Sequence, residues 1–204
     1  MPHELRLQAL RFAVPGGDDV GMFGHLLTLL LLATTAMVVR AADDVPMLSG
    51  VVVGVVDGDT ADIRLDSGMI RVRLHAIDAP ERGQPQGAAS KAALAALVYG
   101  KPVLVEPIEQ DRYDRLVARL WLGDLDVNAE MLKQGQAWVY RRYAGEPAYC
   151  AYEKAARDLR RGLWALPESQ RPAPWEWRKR KSLSGGYTDY SAQTVAECVA
   201  SLGR

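Results

Sequence analysis

The chain has 204 residues, 49% of them apolar, and its 25 Lys and Arg balance 25 Asp and Glu to leave no formal net charge. That length holds one ordinary domain with flanking segments, and that apolar share excludes gross disorder. A neutral chain also excludes nucleic-acid binding through bulk charge, which needs a surplus of Lys and Arg. Positive charge is concentrated late all the same: eight Arg or Lys lie between Arg157 and Lys181, against Asp158, Glu168 and Glu176. A solvated face and a phosphate-attracting tail are both open readings of that run.

In chain order, the first feature is the apolar stretch Leu26–Val39. It is shorter than the roughly 18 residues of a spanning helix. Ala41 and Ala42 follow it, then Asp43 and Asp44, the order of a secretory signal cleaved near Ala41 or Ala42. Residues 1–21 make a long lead-in, and no Lys or Arg lies between Met22 and the apolar run. Translation from Met22, an uncleaved signal serving as a membrane anchor, and a buried core helix therefore stay open. The expectation is a secreted or periplasmic protein, with a membrane-anchored domain outside the cytoplasm as the alternative.

Strand signals cluster after this segment. Gly50–Val56 is a β-branched run, and Thr60–Leu65 alternates Ala61, Ile63 and Leu65 with Asp62 and Arg64. After the Asp66-Ser67-Gly68 turn, Met69–Ile77 alternates Ile70, Val72, Leu74 and Ala76 with Arg71, Arg73 and His75. A helix follows over roughly Ala88–Tyr99, closed by Gly100-Lys101-Pro102, and then strands at Pro102–Glu106 and Leu116–Leu122. Asp126 caps a short helix to Gln134 that Gly135 closes, and a last helix starts near Pro147 and stops at Gly162. Five strands with a helix after the third predict an α+β, mainly β, chain: a five-stranded OB-type barrel with three helices. The expected layout is lead-in and signal over 1–42, barrel over 48–166, and a Pro-, Trp- and Arg-rich extension over 167–204 that wraps or links and ends in a small helix.

Cys150 and Cys198 are the only cysteines. In an oxidising compartment they either pair, pinning the tail to the domain, or stay as separate thiols, and spacing does not decide between these. Neither C-x-x-C nor a Cys/His pattern points to zinc, and His3, His25 and His75 form no site. His75 belongs to the Arg71/Arg73 face, at the surface or on the phosphate side.

Three charged clusters carry the candidate chemistry. Asp57-Gly58-Asp59-Thr60 is in isolation a hairpin signal. It is not a helix–loop–helix calcium loop, because counting from Asp57 the sixth position is Asp62 instead of Gly and the twelfth is Gly68 instead of Glu. Asp59 shares strand parity with Ala61 and Ile63, so its carboxylate faces the barrel and needs a cation or strong donors. In the second cluster, Arg73 to Glu81, Pro80 makes Ala79 extended, fixes the spacing of Asp78 and Glu81, and exposes the Ala79 carbonyl. A plain surface salt bridge from Arg73 to one acid is the other reading. The third cluster is Asp111-Arg112-Tyr113-Asp114-Arg115, uninformative alone.

Together, the Asp-Gly-Asp-Thr of residues 57–60, the Arg-x-x-x-x-Asp-x-Pro-Glu of residues 73–81 and the Tyr-x-Arg of residues 113–115 resemble the thermonuclease (staphylococcal nuclease-like) family. Val127–Gly135 and Arg161-Gly162-Leu163-Trp164 resemble further segments of it, so the resemblance covers roughly Gly50–Ala165. It implies a nuclease that hydrolyses phosphodiesters of DNA, with RNA as a further substrate, leaving 3′-phosphates. It also implies one Ca²⁺ held by Asp59, Asp78 and the Ala79 carbonyl, with Glu81 activating water and Arg73 and Arg115 clamping phosphoryl oxygens. Arg112, Tyr113 and Tyr143 would contact substrate, and no protein partner is implied, so a monomer is expected. Two departures stand out: Asp114 replaces a Gly, and Arg141 replaces one of two tyrosines flanking the base, which would exchange stacking for a cation. Trp175 and Trp177 either stack bases or pack the tail onto the barrel, the second being favoured. The rival reading is a non-catalytic nucleic-acid-binding barrel, which would lack the acids and arginines retained here.

Overall fold

The computed structural model describes residues 46–179 and 188–204. The apolar segment expected to direct export lies outside the described residues, among which no helix is long and apolar enough to cross a membrane.

Five strands close a barrel: β1 (Leu48–Val55), β2 (Thr60–Leu65), β3 (Gly68–Leu74), β5 (Pro102–Gln110) and β6 (Leu116–Leu122). Antiparallel neighbours run in the order β3-β2-β1-β5-β6, and a parallel β3–β6 pairing, Val72 opposite Leu116 through Leu74 opposite Ala118, joins the ends. Closure removes the exposed edges that an open sheet would leave. The inward residues are those the alternation selects: Val52, Ala61, Ile63, Val72, Val105 and Leu120 are all fully buried. Each Val, Leu or Ile side chain among them contributes about 1.5–3 kcal/mol by leaving water.

The third strand is shorter than the alternation predicts. It ends at Leu74, and Ala76 turns the chain with φ 63°. The two-residue strand β4 (Ile77–Asp78) then pairs with β8 (Trp138–Val139) outside the barrel sheet. Conversely, β5 continues to Gln110 through a bulge between Pro107 and Glu109, because a bulge accommodates a proline that a regular ladder would not.

Helix α1 (Gly87–Val98) covers the barrel with Leu94 and Val98. A two-residue strand, β7 (Leu125–Asp126), leads into α2 (Val127–Lys133), whose N-cap Asp126 accepts the Ala129 N–H at 3.0 Å. Gly135 follows with φ 66°, and its carbonyl accepts the Leu163 N–H at 2.8 Å. A side chain on Gly135 would meet the Arg161 carbonyl at 2.2 Å, so both glycines of this contact, Gly135 and Gly162, are set by close approach as well as by φ. Helix α3 (Pro147–Asp158) stops before Gly162, and Gly162–Ala165 forms a separate 3₁₀ turn. The extension adds α4 (Pro174–Trp177) and a terminal helix α5 (Val195–Ala200), capped by Thr194 and Glu197.

Cys150 on α3 and Cys198 on α5 form a disulfide, which settles the alternative left open by spacing. The extension packs through a second apolar cluster in which Trp138, Trp164 and Ala173 are buried and Trp175 and Tyr190 partly so. Trp175 thus packs the tail onto the domain.

Candidate functional site

The turn Asp57–Thr60 is held by the Val56 N–H donating to the Thr60 carbonyl at 2.8 Å and by Asp57 Oδ1 accepting the Asp59 N–H at 3.1 Å. Gly58 is required by proximity: a Cβ there would lie 1.9 Å from Ser90 Oγ on α1 and 2.7 Å from the Ala79 Cβ. Wedged between helix and strand exit, the turn directs Asp59 inward, 5% exposed. Its Oδ1 accepts from Thr60 Oγ1 at 3.0 Å and pairs with Arg73, and its Oδ2 accepts the Ala79 N–H at 2.7 Å. These are the donors that an inward carboxylate demands.

Arg73 stands opposite Thr60 in the β2–β3 register, which brings its guanidinium between two acids. Besides Asp59 it reaches Asp78 Oδ1 at 2.8 Å and the Ile77 carbonyl at 3.3 Å. The surface salt bridge considered as an alternative is therefore replaced by a buried bridge to two carboxylates. The β4–β8 pairing sets Asp78 opposite Trp138 and leaves it 1% exposed. Glu81 lies in the turn after Pro80, where its N–H donates to Gln84 Oε1 at 3.0 Å.

Electrostatics follow from this geometry. Burial raises the Asp59 carboxyl, but the Arg73 guanidinium and the Ala79 N–H outweigh it and leave the group below its ordinary value. Burial lowers Arg73, yet Asp59 and Asp78 carry it well above the usual arginine value. Asp57 is pushed up to about 6, by burial first and then by the neighbouring Asp59 charge. Burial also raises Asp78, against the pull of Arg178 and Arg73.

Arg115 is positioned by Asp111, whose Oδ2 accepts from Nε at 2.8 Å and pairs with Nη2 at 2.7 Å. Asp114, the residue standing in place of a glycine, adopts φ 59°. Asp is among the few side chains that tolerate this left-handed conformation, so the departure preserves the turn. Tyr113 is 64% exposed, with the Arg112 and Arg115 guanidinia 4.8 and 5.6 Å from its ring centroid.

All nine residues expected at the site (Asp59, Arg73, Asp78, Ala79, Glu81, Arg112, Tyr113, Arg115 and Tyr143) line one cleft of about 860 Å³. Arg141 does not join them. It is buried against Glu153, with Nη2 2.9 Å from Oε1, and donates to the Val139 carbonyl, so it is no substitute for a base-flanking tyrosine. Tyr140 and Arg142 line the cleft instead: Tyr140 meets Tyr143 edge-on at 4.8 Å, and Arg142 lies 5.6 Å over Tyr143. His75 is half-buried at the cleft, its pKa lowered chiefly by burial, and its Nδ1 has no hydrogen-bond partner among the described residues. Sequence reading also missed Arg178, which contacts Asp78 and Glu81 from the extension. Its only signal was membership of the basic run.

Among the described residues no three His, Cys, Asp or Glu side chains gather as a metal-holding group. The donor chemistry nevertheless suits a hard cation. Asp59 and Asp78 both direct oxygens at the single Arg73 guanidinium, so they already converge on positive charge. Asp57 and Glu81 line the same cleft, so carboxylate oxygens, the donors a hard cation takes, are grouped there beside Asp59 and Asp78.

The sequence profile described as staphylococcal nuclease homologue matches residues 71–166. The chain is 38% identical to protein ParB of Escherichia coli over 161 residues, covering 74% of this chain and 90% of the relative. It is 41% identical over 142 residues to a micrococcal nuclease of Shigella flexneri (64% and 80% covered). Over 135 residues it is 38% identical to an uncharacterized endonuclease of Escherichia coli O157:H7, with 66% and 87% covered.

Proposed function

The chain belongs to the family of staphylococcal nuclease homologues, and on that premise we propose that it is a Ca²⁺-dependent endonuclease of DNA and RNA that leaves 3′-phosphates. The observation that carries this reading is the meeting of Asp59, Arg73, Asp78 and Glu81 in one cleft with Arg115. A non-catalytic binding barrel has no use for two acids buried at the cost of a bridging guanidinium.

In this reading Asp59, Asp78 and the Ala79 carbonyl hold the cation. When bound, it supplies Lewis acidity and a template for the scissile phosphate. The chain's own residues do the rest. Arg115, its fork held by Asp111, binds two non-bridging phosphoryl oxygens, and Arg73 stabilises the charge that grows on them as water attacks. Glu81 takes the proton of that water as the new P–O bond forms and the P–O5′ bond breaks, and the leaving 5′-oxygen takes a proton from solvent water to end as a 5′-hydroxyl. Tyr113 and Tyr143, exposed on the cleft, flank the nucleotide, with Arg112 and Arg142 against their rings. The barrel works outside the cytoplasm; the apolar segment Leu26–Val39 and the disulfide support this, and N-terminal sequencing of the mature chain from cell fractions tests it.

The deciding experiment offers the purified protein single- and double-stranded DNA and RNA with Ca²⁺ or with a chelator. Cleavage with Ca²⁺, its loss with chelator, and ends that a 3′-phosphatase must open before a polymerase extends them are expected. Cleavage indifferent to chelator removes the metal dependence, and no cleavage of any substrate removes the enzyme.

A further inference from the structure

The C-terminal extension reaches into the acid cluster. Arg178, just past α4 and 100 residues from Asp78, presents its guanidinium as a fork: Nη2 donates to Asp78 Oδ2 at 2.7 Å, while Nη1 donates to Asp78 Oδ1 at 3.2 Å and to Glu81 Oε1 at 2.5 Å. Asp78 and Glu81 together raise the Arg178 pKa against burial.

Its delivery is built into the fold. Trp175 stacks on Tyr140 with ring centroids 5.6 Å apart and planes within 4°, and it meets Trp138 edge-on at 5.9 Å. The Arg178 guanidinium lies 6.0 Å over the same Tyr140 ring. Gln84, buried, accepts the Glu81 N–H and donates to the Pro172 carbonyl at 2.6 Å, tying the Glu81 turn to the extension. Side chain and acids are therefore registered from both ends.

Asp78 thus balances two guanidinia, which differ in freedom. The Arg73 side chain is 12% exposed on a barrel strand, whereas that of Arg178 is 40% exposed and has a path to solvent. A buried carboxylate requires a counter-charge, and a hard cation entering at Asp78 must displace or repel one already present. We propose that Arg178 is a tethered counter-cation of the active site, which holds Asp78 and Glu81 while the divalent cation is absent and yields Asp78 when the cation binds. The proposal rests on the metal reading above and adds to it a competitor supplied by the chain itself.

The test is calorimetric titration of Ca²⁺ into the full chain without nucleic acid, for the wild type, Arg178→Gln and Arg178→Lys. Removing the competing charge should tighten Ca²⁺ binding at least about tenfold in Arg178→Gln. Arg178→Lys should fall between, since it keeps the charge but loses the fork. Thermal melting gives a second readout: Arg178→Gln should melt below wild type without Ca²⁺, and the gap should close at saturating Ca²⁺. Tight binding by Arg178→Gln where wild type binds weakly or not at all supports the competitor. Equal or weaker binding by Arg178→Gln, with wild type binding, overturns it and leaves the nuclease reading intact. If neither chain binds Ca²⁺, the metal reading falls and takes the competitor with it. Should Arg178→Gln not fold, unchanged affinity in Arg178→Lys overturns the proposal alone.

Discussion

Asp59 Oδ2 accepts the backbone N–H of Ala79 at 2.7 Å, so the first acidic motif is hydrogen-bonded to the exit of the second, 20 residues on. The other oxygen of Asp59 faces Arg73, and the two motifs become one charged unit around that guanidinium.

Removing Asp59 should therefore unsettle the fold as well as the chemistry. Asp59→Ala leaves the buried Arg73 with one carboxylate partner and the Ala79 N–H without its acceptor. A broken buried pair costs about 3–5 kcal/mol. Asp59→Asn, which keeps the shape and an acceptor, should lose activity with a smaller loss of stability. Urea unfolding at neutral pH compares the two, and equal stability losses would contradict this account.

Among the described residues the Glu81 side chain pairs with Arg178, and it is partly exposed, so its replacement should spare the fold. Glu81→Gln is expected to cut kcat by at least about 10²-fold, the scale of a positioned general base, with KM nearly unchanged. Full kcat in this variant assigns the proton transfer to another group.

Arg115→Lys keeps the charge but loses the Nε–H and the planar fork that Asp111 fixes. We expect kcat/KM to fall about tenfold or more, since bidentate recognition is lost. Asp114→Gly should retain activity, because glycine also adopts φ 59°, whereas Asp114→Val strains the turn by about 1–2 kcal/mol. A wild-type kcat/KM in Arg115→Lys would show that charge alone suffices.

The Cys150–Cys198 disulfide closes a loop 48 residues apart in sequence. Loop-closure entropy at that separation corresponds to about 4 kcal/mol. Cys198→Ser, or reduction, should lower the unfolding free energy by that order, read by denaturant titration with and without dithiothreitol. No change in midpoint would mean that the packing of α5 alone holds the tail.

Much of the fold was legible because its cause is local. The alternation in Thr60–Leu65 and Gly68–Leu74 specifies which face is buried, Asp126 and Gly135 punctuate α2, and Pro147 starts α3. Local reasoning failed where a distant partner decides. Arg141 and Arg142 are adjacent and alike, yet Arg141 is taken into the interior by Glu153 and Arg142 is left at the cleft. No periodicity in a loop distinguishes them. The end of β3 was misjudged for a similar reason, since Ala76 takes a turn conformation to let Ile77 and Asp78 pair with Val139 and Trp138.

By itself the sequence determined the motif acids Asp59, Asp78 and Glu81 with Arg73 and Arg115, the parity that turns Asp59 inward, and the barrel that carries them, since charge, strand period and turn residues act over a few neighbours. Only the tertiary structure decided which charges meet. It paired Cys150 with Cys198, wedged Gly58 against Ser90, and brought Arg178 to Asp78 and Glu81. Those contacts join residues far apart along the chain, and their energy depends on burial and on distances set by closure of the barrel and packing of the extension.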